Sequence, residues 1–247
     1  MQPRCCALQT TNEMNDYDKI EVVAFDADDT LWVNEPFFRE SERRFCSLVA
    51  PWAAADEAVE RLYGREVANM PLYGYGVKAC VLSMVETALE LGGEALPAEV
   101  VRGIVALGRD QLQRPVELLP GVRETLRRLQ GRYRLAVVTK GDLLDQRRKL
   151  RLSGLAPCFD AVEVMADKDE ASYGEVMRRL GVAPGTFLMV GNSLRSDVLP
   201  VLALGGRAVH IPFEETWRHE EVAPEECAPH DIPTLGTISE LAPLLGC

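Results

Sequence analysis

Two carboxylates stand two positions apart at the point where an apolar run stops. Asp26-Ala27-Asp28-Asp29-Thr30 directly follows Ile20-Glu21-Val22-Val23-Ala24-Phe25. The run reads as a buried strand, so its end carries Asp26 and Asp28 to the rim of a core. Ionised carboxylates are costly to bury unless a cation or hydrogen-bond donors meet them. In open α/β sheets the carboxyl ends of the strands are where ligands bind. The plainer alternative is a strand followed by a solvated acidic turn, and the later sequence decides between them.

Three later segments place complementary groups at strand ends. Thr139 closes Leu135-Ala136-Val137-Val138 and is followed by Lys140-Gly141-Asp142. Lys168 lies just beyond Ala161–Met165, and Asn192-Ser193-Leu194-Arg195-Ser196-Asp197 follows Phe187-Leu188-Met189-Val190-Gly191. Each group alone has a structural explanation: a strand terminator for Thr139, a solvated loop lysine for Lys168, a helix N-terminal residue for Asp197. In a parallel sheet, however, all these ends share one edge, where Asp26, Asp28, Thr139, Lys168 and Asp197 can converge. Such convergence across consecutive strand-end loops outweighs the separate explanations. His210, His219 and His230 show no partner spacing and are read as structural.

The elements that must position these residues alternate. Helical patterns over Val122–Leu129, Leu143–Leu152 and Tyr173–Leu180 separate the strands, and Tyr173, Val176, Met177 and Leu180 form a core-facing stripe. A further short helix is expected over Val198–Leu204, before a last strand at Ala208–Pro212. The fold class that follows is α/β, a doubly wound parallel sheet. Between Phe37 and Arg114 there is no convincing strand, only helical stretches broken at Pro51, at Pro71 through Gly76, at Gly92-Gly93 and at Pro97. In that region Val81, Leu82, Val85, Ala88 and Leu89 recur at helical spacing. The expected organisation is a leader over 1–18, a core over 19–35 and 115–247, and an all-helical inserted cap over 36–114. Met14, just before the first strand, could equally be the natural start.

Composition narrows the function. A formal net charge of -11 disfavours nucleic acid and anionic membrane as partners, and any phosphate site must supply its own positive charge. Seven scattered cysteines without a C-x-x-C fit reduced thiols, and Cys247 is not a prenylation box. With no stretch near about 18 consecutive apolar residues and no signal-peptide pattern, a cytoplasmic protein is expected.

These motifs resemble those of the haloacid dehalogenase superfamily of hydrolases, from Ile20 to about Pro212. Asp26, Asp28 and Thr30 match its Asp-x-Asp-x-Thr motif, Thr139 its strand-ending Thr or Ser, Lys168 its motif lysine, and Asn192 with Asp197 its acidic loop. A helical insertion between the first two motifs is the family's type 1 cap arrangement. Asn192 stands where Asp is frequent, and Lys140 where Asn often follows the Thr. The resemblance implies a Rossmann-like core and a phosphatase acting on a small phosphorylated metabolite. Asp26 would be the nucleophile and Asp28 the general acid and base. Mg²⁺ would be held by Asp26, the Asp28 backbone carbonyl, Asn192 and Asp197. Thr139, Lys140 and Lys168 would contact the phosphate or substrate.

Other functions remain open at this point. A phosphomutase would use the same acyl phosphate, and a strict 2-haloacid dehalogenase the same fold, although Asp28 counts against the latter. A phospho-accepting signalling module shares Asp, Thr and Lys on a doubly wound sheet but lacks the helical insertion. Sugar phosphates, phosphoglycolate-like acids and nucleotide or flavin phosphates are all compatible substrates, and the oligomeric state is not readable. The break Tyr73-Gly74-Tyr75-Gly76-Val77-Lys78 is either an ordinary loop or a cover over the Asp26 site. In the second case Tyr75 packs on the leaving group, Lys78 meets a negative charge there, and Leu31–Glu35 forms half of a hinge.

Overall fold

The computed structural model describes residues 17–227 and 231–247. Met14, His230 and all but the last two residues of the expected leader lie outside the described residues.

Five parallel strands form one sheet: β1 (Val22–Phe25), β2 (Arg134–Lys140), β3 (Ala161–Met165), β4 (Phe187–Gly191) and β5 (Arg207–His210). Their order is β3-β2-β1-β4-β5, so the chain winds outward in both directions from β1. Phe25 pairs in register with Val137 of β2 and Val190 of β4. The residues just past Phe25 therefore emerge at the point where the strand order reverses, which is where such sheets open a crevice.

Every residue of β1 is buried, because helices cover both faces of the sheet. On one face Val23, Phe25, Leu135 and Val137 pack with Leu126 and Leu129 of α5 (Val122–Leu129). On the other, Val22, Ala24, Ala136 and Val138 meet the Tyr173, Val176, Met177 and Leu180 stripe of α7 (Glu170–Leu180). Between them in sequence, α6 (Leu143–Ser153) starts from an Asp142 cap that accepts the Asp145 N–H and stops at Gly154.

The segment between β1 and α5 is helical throughout: α1 (Glu35–Val49), α2 (Ala55–Tyr73), α3 (Val77–Gly92) and α4 (Ala98–Gln113). These helices bury a core of their own, including Phe45, Val49, Leu62, Met84 and Ile104. The crossing chains pair where they leave the sheet: Val33 N–H donates to Glu117 O at 2.9 Å and Leu119 N–H to Leu31 O at 3.0 Å.

Three local details refine these expectations. The break expected over Pro71 through Gly76 falls at its glycine end: α2 runs on to Tyr73 and stops at Gly74, whose φ of 68° favours glycine. Pro71 lies in the last turn, so the hydrogen bond it cannot donate to the Val67 carbonyl is lost only near the end of the helix. The buried face of α3 carries Ala79, Ser83, Met84, Thr87 and Ala88, while Leu82 and Leu89 are 46% and 51% exposed. Ser83 and Thr87 can face inward because Asn69 donates to Ser83 Oγ at 3.1 Å and Thr87 Oγ1 donates to Ser83 O at 2.8 Å. Finally, the short helix α8 (Leu199–Ala203) is preceded by a wide π-type turn over Leu194–Val198, so Asp197 sits on that turn.

Candidate active site

Asp26 continues β1 by one residue, donating its N–H to Val190 O at 2.9 Å. Its carboxylate meets the Lys168 ammonium at 2.5 Å, and the same ammonium meets Asp197 Oδ1 at 2.6 Å. The Lys168 and Asp197 side chains are each 1% exposed, which makes this a buried bridge of two carboxylates on one cation. Burial pushes Asp26 up to about 7 against the pull of Lys168, and Asp197 adds to the rise. Burial works the other way on Lys168, but Asp197 and Asp26 hold its ammonium well above the usual lysine range. Thr30 Oγ1 donates towards Asp26 Oδ2 at 3.4 Å and Asn192 Oδ1 at 3.2 Å, tying the first turn to the fourth.

Asp197 is fixed from the β4 side. Its Oδ2 accepts the Ser193 N–H at 3.0 Å. A Cβ on Gly191 would fall 2.2 Å from that same oxygen, so only glycine lets the strand end approach this carboxylate. His210, read as structural, sits with Nε2 at 3.0 Å from Asn192 O and steadies the same loop.

Asp28 has a separate set of partners. Trp32 Nε1 donates to Oδ1 at 2.6 Å and Gln146 Nε2 to Oδ2 at 2.8 Å. Lys149 Nζ reaches both oxygens, at 2.5 and 2.8 Å. Sequence reasoning missed Lys149 and Gln146, which lie within the polar helix α6 and carry no motif. The intervening Asp29 adopts φ 61° and accepts the Asn34 N–H at 2.8 Å and the Glu35 N–H at 3.0 Å. It thereby satisfies free N–H groups at the start of α1. The three aspartates of this turn therefore have three different environments.

Lys140 does not reach the Asp26 cluster. It donates to Ser196 Oγ at 2.9 Å, pairs with Glu220, and stands 4.3 Å from the centre of the Tyr75 ring. Glu220 also accepts from Ser193 and Ser196, each at 2.5 Å. Although burial opposes it, Lys140 and the two hydroxyls hold Glu220 down at about 2. Thr139 Oγ1 makes one long contact, 3.5 Å to Lys140 O, and lines the same cavity.

That cavity, of about 200 Å³, runs from Asp26 into the cap. It suits a small metabolite, since pockets for drug-sized ligands run at about 300–1,000 Å³. The segment carrying Trp217 walls it on one side, Trp217 meeting Tyr75 edge to face at 6.1 Å. Arg218 ties this segment to the cap through Glu60 at 2.7 Å. Of the two groups expected to cover the site, Tyr75 lines the cavity and Lys78 does not. Lys78 is bound to Asp142 at 2.7 Å instead, since that carboxylate at the mouth of α6 is the nearer charge for it to satisfy.

The residues around Asp26 suit a hard divalent cation. No group of three acidic, histidine or cysteine side chains is gathered for a metal among the described residues, because Lys168 draws Asp26 and Asp197 together. The donors themselves are all oxygen: Asp26, Asp197, the Asn192 amide and the Asp28 carbonyl. Mg²⁺ takes such ligands with several waters. Two buried carboxylates sharing one lysine also leave negative charge for a further cation to neutralise, so the donor chemistry fits.

Comparison with known proteins gives the family. The family model of haloacid dehalogenase-like hydrolases matches residues 20–205, and the chain belongs to that family. A haloacid dehalogenase-like family hydrolase from Xanthomonas campestris superposes with a TM-score of 0.80 at 35% identity, covering 92% of this chain and 95% of that one. The glyceraldehyde 3-phosphate phosphatase of Methanothermobacter thermautotrophicus is 26% identical over 92% of this chain and 100% of its own length. Human N-acylneuraminate-9-phosphatase is 26% identical over 65% of this chain and 64% of its own. No helix among the described residues is long and apolar enough to cross a membrane.

Proposed function

We propose that this haloacid dehalogenase-like hydrolase is a Mg²⁺-dependent phosphatase of small phosphate monoesters, working through an aspartyl-phosphate on Asp26. The observation that carries the reading is the separation of Asp26 and Asp28 into two environments. Asp26 lies buried on the Lys168–Asp197 bridge, and Asp28 two residues on is held by Lys149, Gln146 and Trp32. In this reading one carboxylate attacks and the other transfers the proton. The phosphatase names of the two curated relatives support the same reaction class.

In the first half-reaction an Asp26 oxygen attacks phosphorus, the bond to the alcohol breaks, and Asp28 gives its proton to the departing oxygen. In the second, Asp28 takes a proton from water. The water oxygen then attacks the phosphoryl group, releasing inorganic phosphate and regenerating Asp26. One Asp28 oxygen must exchange its protein donors for the substrate oxygen, and since Lys149 reaches both oxygens, at least one of its contacts has to loosen during turnover. Lys168 and Thr139 hold phosphoryl oxygens, and Lys140 adds positive charge from the Glu220 side. Asp26, Asp197, Asn192 and the Asp28 carbonyl would hold Mg²⁺, which supplies charge neutralisation of the phosphoryl oxygens. The proposed division of labour places this chemistry on residues 19–35 and 115–247, with 36–114 as the cap. The test is release of phosphate from an aryl phosphate: chelation should abolish it and Mg²⁺ restore it. Full activity in excess chelator would overturn the metal assignment.

A further inference from the structure

The cap end of the cavity is rich in hydrogen-bond acceptors and poor in cations. Glu35, Glu42 and Glu66 line it, and Arg39 is the one cation the cap contributes there. Arg39 is already engaged, with Glu35 at 3.1 Å, Glu42 at 3.7 Å and Thr216 O at 3.3 Å. Glu66 has the Cys80 thiol as donor but no ion pair, and burial pushes it up to about 7. It stands on α2 between Leu62 and Met70, at spacings of four that place all three on one helix face towards the cavity. At the other end, Gln146 is 5% exposed and lines the same cavity. Its amide nitrogen serves Asp28 and Lys140 O, while its Oε1 is buried without a donor. A buried acceptor left unpaired is costly, as is a carboxylate without a counter-ion, and both deficits are met by a ligand that brings donors.

We infer that the cap half of the cavity is a leaving-group subsite for a protonated amine, so that the substrate is the phosphate monoester of an amino alcohol or amino sugar. Its ammonium faces Glu66, and in a leaving group that carries a further hydroxyl, as an amino sugar does, that hydroxyl donates to Gln146 Oε1. Leaving groups carrying a carboxylate or a second phosphate are rejected by the same wall. The inference rests on the phosphatase reading and deepens it.

Two isosteric series test it with Mg²⁺ present. The first is phosphoethanolamine, ethylene glycol monophosphate and phosphoglycolate; the second is glucosamine 6-phosphate, glucose 6-phosphate and 6-phosphogluconate. In at least one series kcat/KM should favour the amine over the neutral ester by about tenfold or more, with the anion poorest. Glu66→Gln should bring the amine-to-neutral ratio in that series close to one; taking the ratio within one variant cancels any general loss of activity. Equal or better turnover of the neutral or anionic ester in both series overturns the subsite, as does an unchanged ratio in folded Glu66→Gln. If that variant does not fold, the wild-type order alone decides. Hydrolysis of an aryl phosphate without amine preference removes the subsite and leaves the phosphatase; no hydrolysis of any ester removes both.

Discussion

Replacing Lys168 by Met removes the one cation between Asp26 and Asp197 while nearly preserving side-chain volume. The lysine side chain is 1% exposed, as is that of Asp197, and that of Asp26 is 10% exposed. Breaking a buried pair by deleting one partner costs about 3–5 kcal/mol, because the remaining charge has neither water nor a counter-ion. For a domain of this size that corresponds to a fall in Tm of roughly 10 °C. The penalty has a direction in pH. Asp26 in the folded chain is already raised to about 7 from 3.8, so the folded state binds more protons than the unfolded state between those values. Its contribution is intact below about 4 and is lost as pH rises through 7. Without Lys168 the Asp26 carboxyl is pushed further up, so Lys168→Met should lose stability more steeply with rising pH than the wild type. Urea denaturation in chelator at pH 5, 6.5 and 8 should give a small difference at pH 5 that grows to the full penalty at pH 8. The exposed pair Arg179–Glu163, at 2.8 Å, is the control, and Arg179→Met should cost no more than about 1 kcal/mol. A Lys168→Met penalty below about 1 kcal/mol at pH 8, or one that does not vary with pH, would refute the buried-bridge argument.

Other consequences are narrower. Lys149→Met should lower kcat for alkyl phosphates by about tenfold or more but affect a nitrophenyl phosphate less, since a good leaving group needs little help from Asp28; an equal loss on both would detach Lys149 from proton transfer. Glu220→Gln should remove about 3 kcal/mol of stability at neutral pH, because Glu220 is lowered from 4.5 to about 2 and stabilises the fold above that interval. That contribution fades as pH falls towards 2, so acid titration should show the variant and the wild type converging; parallel curves would contradict it. Lys78→Ala should leave KM nearly unchanged for every ester tried, because Lys78 is paired with Asp142 and does not itself line the cavity; a selective rise in KM would bring the lysine back to the site.

The sheet and its strand-end groups were legible because each signal is local. Strands such as Phe187–Gly191 are continuous apolar runs, and parallel topology then places Asp26, Thr139, Lys168 and Asp197 on one edge without knowledge of contacts. Partners brought by helices were not legible. Lys149 shares its run with Arg147 and Arg148, and only the packing of α6 turns one of the three towards Asp28. Glu220 is about 80 residues from Lys140 in sequence and has no motif, so its role depends on the path of the chain after β5. The buried face of α3 was not legible because apolar spacing cannot anticipate that Ser83 and Thr87 satisfy their hydroxyls among the helices. Asp29 had no assigned role in the sequence, and only its backbone conformation and contacts show it to be a support for α1.

The central claim is that Asp26 is phosphorylated during turnover, and acid-quenched trapping tests it most directly. Enzyme mixed with ³²P-labelled ester for milliseconds, denatured in acid and digested, should carry label on the peptide containing Asp26. The label should be alkali-labile, as an acyl phosphate is, and Asp26→Asn should give none while remaining folded. Asp28→Asn should slow its formation and its breakdown by about 10²–10⁴-fold without moving it. Steady turnover with no label in wild type, or label on any peptide lacking Asp26, would contradict the account.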